Sequence, residues 1–206
     1  GTTNGSIYEE VFTIQNTLPT LSSVTLPEDS TKGTSITATI TAEDIDEDEL
    51  SYNYEWHVNG TAIADVTTET LDPIYFIKGD EVQLTVTAND GDGDSDPLSS
   101  EVITVQNTAP VITSVTIADS QSGNTEPITR DHTVLCSSDS SDIDEEDTLA
   151  PSYSWSVNGT EISTESELIL SSIPTSTLAS GNTLVCTVTI NDGSPVLTTN
   201  IPLKYP

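Results

Sequence analysis

The sequence predicts an all-β chain: two tandem antiparallel β-sandwiches with an extra N-terminal strand in front. Three observations carry that expectation. Blocks of sequence recur in the same order in the two halves, apolar and polar residues alternate with period two, and an Asn-Gly turn follows the same Trp-bearing stretch twice. No stretch shows a convincing helical period.

The repeat is the first element to justify, because internal self-similarity fixes architecture. Residues 10–26 read EVFTIQNTLPTLSSVTL and residues 101–117 read EVITVQNTAPVITSVTI, at an offset of 91. Tyr54-x-Trp56-x-Val58-Asn59-Gly60-Thr61 then matches Tyr153-x-Trp155-x-Val157-Asn158-Gly159-Thr160. Finally, Gly79, Leu84, Val86 and Asn89-Asp90-Gly91 match Gly181, Cys186, Val188 and Asn191-Asp192-Gly193. The predicted division is a lead over 1–16, a first module over 17–107 and a second over 108–206.

The strands follow from alternation. Val82, Leu84, Val86 and Ala88 face away from Gln83, Thr85 and Thr87, as in a half-buried strand. Ile36, Ala38, Ile40 and Ala42 form a second such set, and Tyr52, Tyr54, Trp56 and Val58 a third. Asn-Gly tolerates φ > 0 at both central positions of a tight hairpin, so a turn is expected after Val58 and after Val157. About seven short strands per module read as an antiparallel sandwich.

Composition narrows the function classes. The 206 residues carry 34 acidic groups against 4 basic ones, a net charge of −30, and 60 of them are Ser or Thr. Such a surface repels phosphate backbones and anionic lipid, which argues against nucleic-acid partners. No apolar run approaches the ~20 residues of a membrane span, so no membrane insertion is expected in this segment. The first residue is not Met, which suggests a processed or excised segment.

Both cysteines lie in the second module. Cys136 falls opposite Ala38 and Cys186 opposite Leu84, each in the inward set of its strand, with Trp155 on the strand between. The roles are those of the immunoglobulin inter-sheet bridge packed on a buried Trp, although the spacings differ. A Cys136–Cys186 bridge is expected, the alternative being two separate buried thiols. A disulfide implies an oxidising, extracellular compartment.

Asn-Thr-x-Pro at the entry, an Asp-rich loop, Tyr-x-Trp-x-Val-Asn-Gly and a Thr-Val-x-x-Asn-Asp-Gly strand end resemble tandem PKD-type and related Ig-like repeats. Those repeats occur in strings in microbial surface proteins. The usual Trp-Asp-Phe-Gly-Asp-Gly core of that family is Trp-x-Val-Asn-Gly here. The resemblance implies spacing, adhesion or filament building at the cell surface, with neighbouring repeats or other copies of the chain as partners, and seldom catalysis.

The acidic loops are the candidate metal sites. Asp44, Asp46 and Asp48 lie between the second and third strands of the first module, and Asp90, Asp92 and Asp94 between the sixth and seventh. In an Ig-like sandwich both loops fall at the entry end. Calcium takes six to eight oxygens, which converging carboxylates supply. The second module offers Asp142, Asp144 and Asp192, but its later loop is poor in acids, so acid count favours the first module. A solvated acidic surface is the competing explanation.

Other chemistry is sparse. No His-Glu-x-x-His, Gly-x-Ser-x-Gly, phosphate loop or zinc-spaced Cys pair occurs, so no enzyme is expected. A carbohydrate- or protein-binding accessory module of a secreted protein is the rival class. Sequons at Asn4, Asn59 and Asn158 are candidate glycosylation sites, though the last two are also the hairpin turns. The lead matches the final strand of the first module. Val11, Phe12, Thr13, Ile14 and Gln15 are therefore expected to be an assembly strand. It either ends a preceding repeat or is donated to a neighbouring subunit.

Overall fold

The computed structural model describes residues 8–125, 128–193 and 197–204. The chain divides into two compact units, Gly1–Ser30 with Thr34–Val105, and Thr31–Gly33 with Gln106–Pro206. Each is an all-β, Ig-like sandwich.

In the first unit the strands are β1 (Thr20–Thr25), β2 (Ile36–Thr37), β3 (Thr39–Glu43), β4 (Ser51–Val58) and β5 (Thr61–Ile63). They are followed by β6 (Thr70–Leu71), β7 (Glu81–Asn89), β8 (Leu98–Ser99) and β9 (Ile103–Thr104). One layer pairs β1 with β3 and β2 with β6; the other runs β5-β4-β7-β8, with β9 also on β7. The stretch from Ile36 to Ala42 is thus divided: its first part pairs with β6 and its second with β1. Ala38 continues the first pairing, its N–H donating to the Glu69 carbonyl at 2.9 Å. The final edge is broken because two serines stand in for backbone partners. Ser100 Oγ accepts from the Leu84 N–H at 3.1 Å and Ser95 Oγ from the Ala88 N–H at 3.0 Å.

In the second unit the strands are β10 (Val111–Asp119), β11 (Thr133–Ser141), β12 (Ala150–Val157) and β13 (Thr160–Ser163). Then come β14 (Glu167–Ile169), β15 (Thr183–Asn191) and β16 (Leu197–Lys204). The layers are β10-β11-β14 and β13-β12-β15-β16. A bulge shifts the register between Leu21 and Ser23 in one unit and between Ile112 and Ser114 in the other, at matching repeat positions. Both Asn-Gly turns adopt the expected left-handed backbone, with φ of 50° and 73° at Asn59-Gly60 and 50° and 82° at Asn158-Gly159.

The cores repeat as well. Trp56 and Trp155 are fully buried. Each satisfies its indole N–H on a backbone carbonyl at 2.9 Å, Thr68 for one and Glu165 for the other. Cys136 on β11 and Cys186 on β15 form the expected disulfide, joining the two layers across a separation of 50 residues. Both sulfurs lie in the cluster that contains Trp155, Val134, Leu184 and Val188. The first unit holds Ala38 and Leu84 in its core without a bridge.

The described part of the lead, residues 8–16, is paired with no sheet of its own chain and so carries no strand assignment. A strand exists only by pairing, and among the described residues no edge receives it.

Candidate functional site

The entry segments and the acidic loops meet in the same way in both units. Asn16 Nδ2 donates to Asp90 Oδ2 at 2.9 Å, and the Thr17 N–H donates to Asp46 Oδ2 at 2.7 Å. In the second unit Asn107 Nδ2 donates to Asp192 Oδ2 at 2.8 Å and the Thr108 N–H to Asp144 Oδ2 at 2.6 Å. The repeated Asn-Thr is therefore a plug held by one carboxylate from each acidic loop. Sequence reasoning noticed the repeat but not this role.

Local turns aim the carboxylates. Asp44 Oδ1 accepts from the Asp46 N–H at 2.8 Å, and Asp142 Oδ1 accepts from the Asp144 N–H at 3.0 Å. Asp90 Oδ1 accepts from the N–H groups of Asp92 and Gly93 at 2.8 and 2.7 Å. These bonds, the Asn16 amide first and the Gly93 and Asp92 amides after it, hold the Asp90 carboxyl below the usual carboxylate range. Asp94 is turned aside, its Oδ1 accepting from Asn89 Nδ2 at 2.7 Å.

The two sites differ in how their charges are arranged. In the first unit partial desolvation, then the charges of Asp44, Asp46, Asp90 and Asp92, push the Asp48 carboxyl up. The two loops are thus close enough to repel. In the second unit Asp142, Asp144 and Asp147 each present an oxygen within 4.8 Å of the others. Acid count pointed to the first unit, whereas the compact group lies in the second. Asp147, at the repeat position of Glu49, completes that group. Asp144 is only 5% exposed, and its Oδ1 has no hydrogen-bond partner. The same holds for the buried Asp142 Oδ2, Thr108 Oγ1 and, in the first unit, Asp44 Oδ2. A buried carboxylate oxygen without a donor is costly. A cation would satisfy several at once.

The two perturbed carboxyls make stability depend on pH in opposite directions. The depressed Asp90 contributes stability present above the ordinary value of 3.8 and lost as pH falls through its folded-state value. The raised Asp48 does the reverse: its contribution is present below 3.8 and is lost as pH rises through its folded-state value. Asp48→Asn is accordingly expected to raise the melting temperature at pH 7 in chelator, with the gain vanishing near pH 3. Melting curves at the two pH values check it.

Of the sequons, Asn4 lies outside the described residues. Asn59 is tied down on both sides of its amide, donating to Asp80 Oδ1 at 2.7 Å and accepting from the Glu81 N–H at 2.9 Å. Asn158 is exposed. Asn182, at the repeat position of Asp80, keeps the loop bond that Asp80 makes to the Ile77 N–H, accepting from the Ala179 N–H.

The chain matches no protein-family model and no curated protein sequence. Among solved structures it is similar to the fibronectin(III)-like modules of Clostridium thermocellum CbhA, with 15% identity over 91% of this chain and 95% of that one and a TM-score of 0.29. It is also similar to the central fibronectin-III array of RIM-binding protein, with 11% identity over 92% and 70% of the two chains and a TM-score of 0.27. Likeness at that level carries no functional argument, and the sandwich assignment rests on the strands themselves.

Proposed function

We propose that the chain is a non-enzymatic structural segment of an extracellular stalk, filament or adhesin built from PKD-like tandem modules. Its entry segments are clamped into acidic loops that calcium rigidifies. The observation that carries this reading is the pair of identical Asn-Thr plugs with orphaned carboxylate oxygens beside them. Calcium takes oxygens at 2.3–2.6 Å in flexible geometry. Asp142, Asp144, Asp147 and Thr108 would hold one ion, and Asp44, Asp46, Asp48, Asp90 and Asp92 are the candidates for another.

Supporting features come from independent parts of the chain. The disulfide suits an oxidising compartment, and a net charge of −30 keeps such a chain dispersed when cations are scarce. Among the described residues no helix is long and apolar enough to cross a membrane. An open groove of about 440 Å³ between β13 and β14 has Glu167 as its one titratable lining residue. Both tryptophans are buried and unavailable for stacking on a sugar. The lead strand, Val11–Gln15, would join the segment to a neighbouring repeat or copy.

Limited proteolysis tests the clamp. Cleavage within 16–18 and 107–109 is expected to slow about tenfold or more in millimolar calcium relative to chelator, since the cation closes the loops that hold those residues. Equal cleavage rates would remove calcium from the reading.

A further inference from the structure

The lead is half seated. Its C-terminal end, Asn16-Thr17, is already bonded to Asp90 and Asp46 of the first unit, just as Asn107-Thr108 is bonded to Asp192 and Asp144 of the second. Its N-terminal end is not seated. Val11, Phe12 and Ile14 are 86%, 81% and 89% exposed. Val102, the counterpart of Val11, is itself 52% exposed, but Ile103 and Val105, the counterparts of Phe12 and Ile14, are 7% and 2% exposed in the core of the first unit. Residues 10–16 and 101–107 differ only at those two positions, Phe12 for Ile103 and Ile14 for Val105.

The seat is defined by backbone as well as by side chains. β9 runs antiparallel to β7, with Thr104 opposite Glu81 and Ile103 opposite Val82. The Val105 N–H donates to the Asp80 carbonyl and its carbonyl accepts from the Gly79 N–H, both at 2.9 Å. Neither unit of a second copy offers this seat. In the first it is filled by β8 and β9. In the second, β16 pairs with β15 from Thr183↔Lys204 through Ile190↔Leu197.

Resting on the array reading above, we infer that residues 10–15 are the last strand of a further module of this same repeat class, placed immediately before residue 10, and not a strand donated to a second copy of this chain. That module presents a β7-like edge with a Gly-Asp turn. Phe12 and Ile14 enter its core at the places of Ile103 and Val105. One strand then serves two modules, completing the sheet of one and plugging the acidic loops of the next.

The test adds residues 17–100 directly in front of residue 10 of the chain, so that the native lead becomes the last strand of the added module. The expected result is one further cooperative unfolding transition. Amide exchange at Phe12, Thr13 and Ile14 should also slow by more than about a hundredfold relative to the 206-residue chain. Phe12→Asp with Ile14→Asp should abolish that transition and leave the others in place. A parallel version with Phe12→Ile and Ile14→Val restores the first unit's own strand. If it folds while the native lead does not, the inference is overturned. An added module that folds equally well with both Asp substitutions, or that folds with neither strand, also overturns it. So do concentration-dependent oligomers of the 206-residue chain that Phe12→Asp/Ile14→Asp abolishes, because the partner is then a second copy. The calcium response of the acidic loops is read separately on the unextended chain, so either reading can fail alone.

Discussion

Breaking the Cys136–Cys186 bridge, by reductant or by Cys136→Ala with Cys186→Ala, is expected to destabilise the second unit by about 4 kcal/mol and to leave the first unchanged. The bridge closes a loop of 50 residues, and in the chain-entropy model a loop of that length restricts the unfolded chain by about that amount. For a unit near 100 residues, 4 kcal/mol corresponds to a drop in melting temperature on the order of 20 °C. The first unit has Ala38 and Leu84 at the matching places and nothing to reduce. Each unit has a single tryptophan. Variants carrying Trp56→Phe or Trp155→Phe therefore report on one unit at a time. Equal loss in both units would mean that the bridge does not act locally.

The second large effect lies in the unit without a bridge. Trp56→Ala is expected to cost 3–5 kcal/mol, about the value for truncating a fully buried aromatic. It removes the largest side chain of that core and strands the Thr68 carbonyl, which accepts the indole N–H. With no disulfide to limit the unfolded ensemble, the first unit should lose its cooperative transition near body temperature, while Trp155 fluorescence still reports a folded second unit. Chemical denaturation followed at Trp155 and by circular dichroism separates the two. A cost below about 1 kcal/mol would show that the indole is not packed as described.

Much of the fold was legible because its signals are local. Alternation marked β4 and β7 directly, repeat matching carried the second to β15, and Asn-Gly marked two hairpins whose positive φ few other residues accept. The disulfide could be read because both cysteines fall on inward positions of strands in opposite layers. The breaks were not legible. The stretch 36–42 alternates without interruption, yet it changes partner at Ala38, since pairing depends on which neighbour lies alongside and not on period. The divided edge of β8 and β9 depends on Ser95 and Ser100 replacing backbone partners, and a serine in a Thr-rich chain gives no warning of that.

At the acidic loops, composition was a poorer guide than geometry. Counting carboxylates favoured the first unit, where Asp94 is diverted to Asn89 and desolvation, then the remaining charges, push the Asp48 carboxyl up. The compact group needs only Asp142, Asp144 and Asp147. The Asn-Thr plug had a visible signal, its recurrence at an offset of 91 next to two acidic loops. Its role appeared only when the donors and acceptors were placed.

Calorimetric melting of the whole chain, calcium-free and then with calcium at about a hundred times its dissociation constant, tests the central claim most directly. A cation bound only by the folded state adds about 2.7 kcal/mol at that ratio. The second unit's transition should therefore rise by roughly 10 °C or more, and Asp142→Asn with Asp144→Asn should remove the rise while the first unit's response remains. Transitions that stay put up to millimolar calcium, or a rise of the second unit that survives that double substitution, would contradict the account.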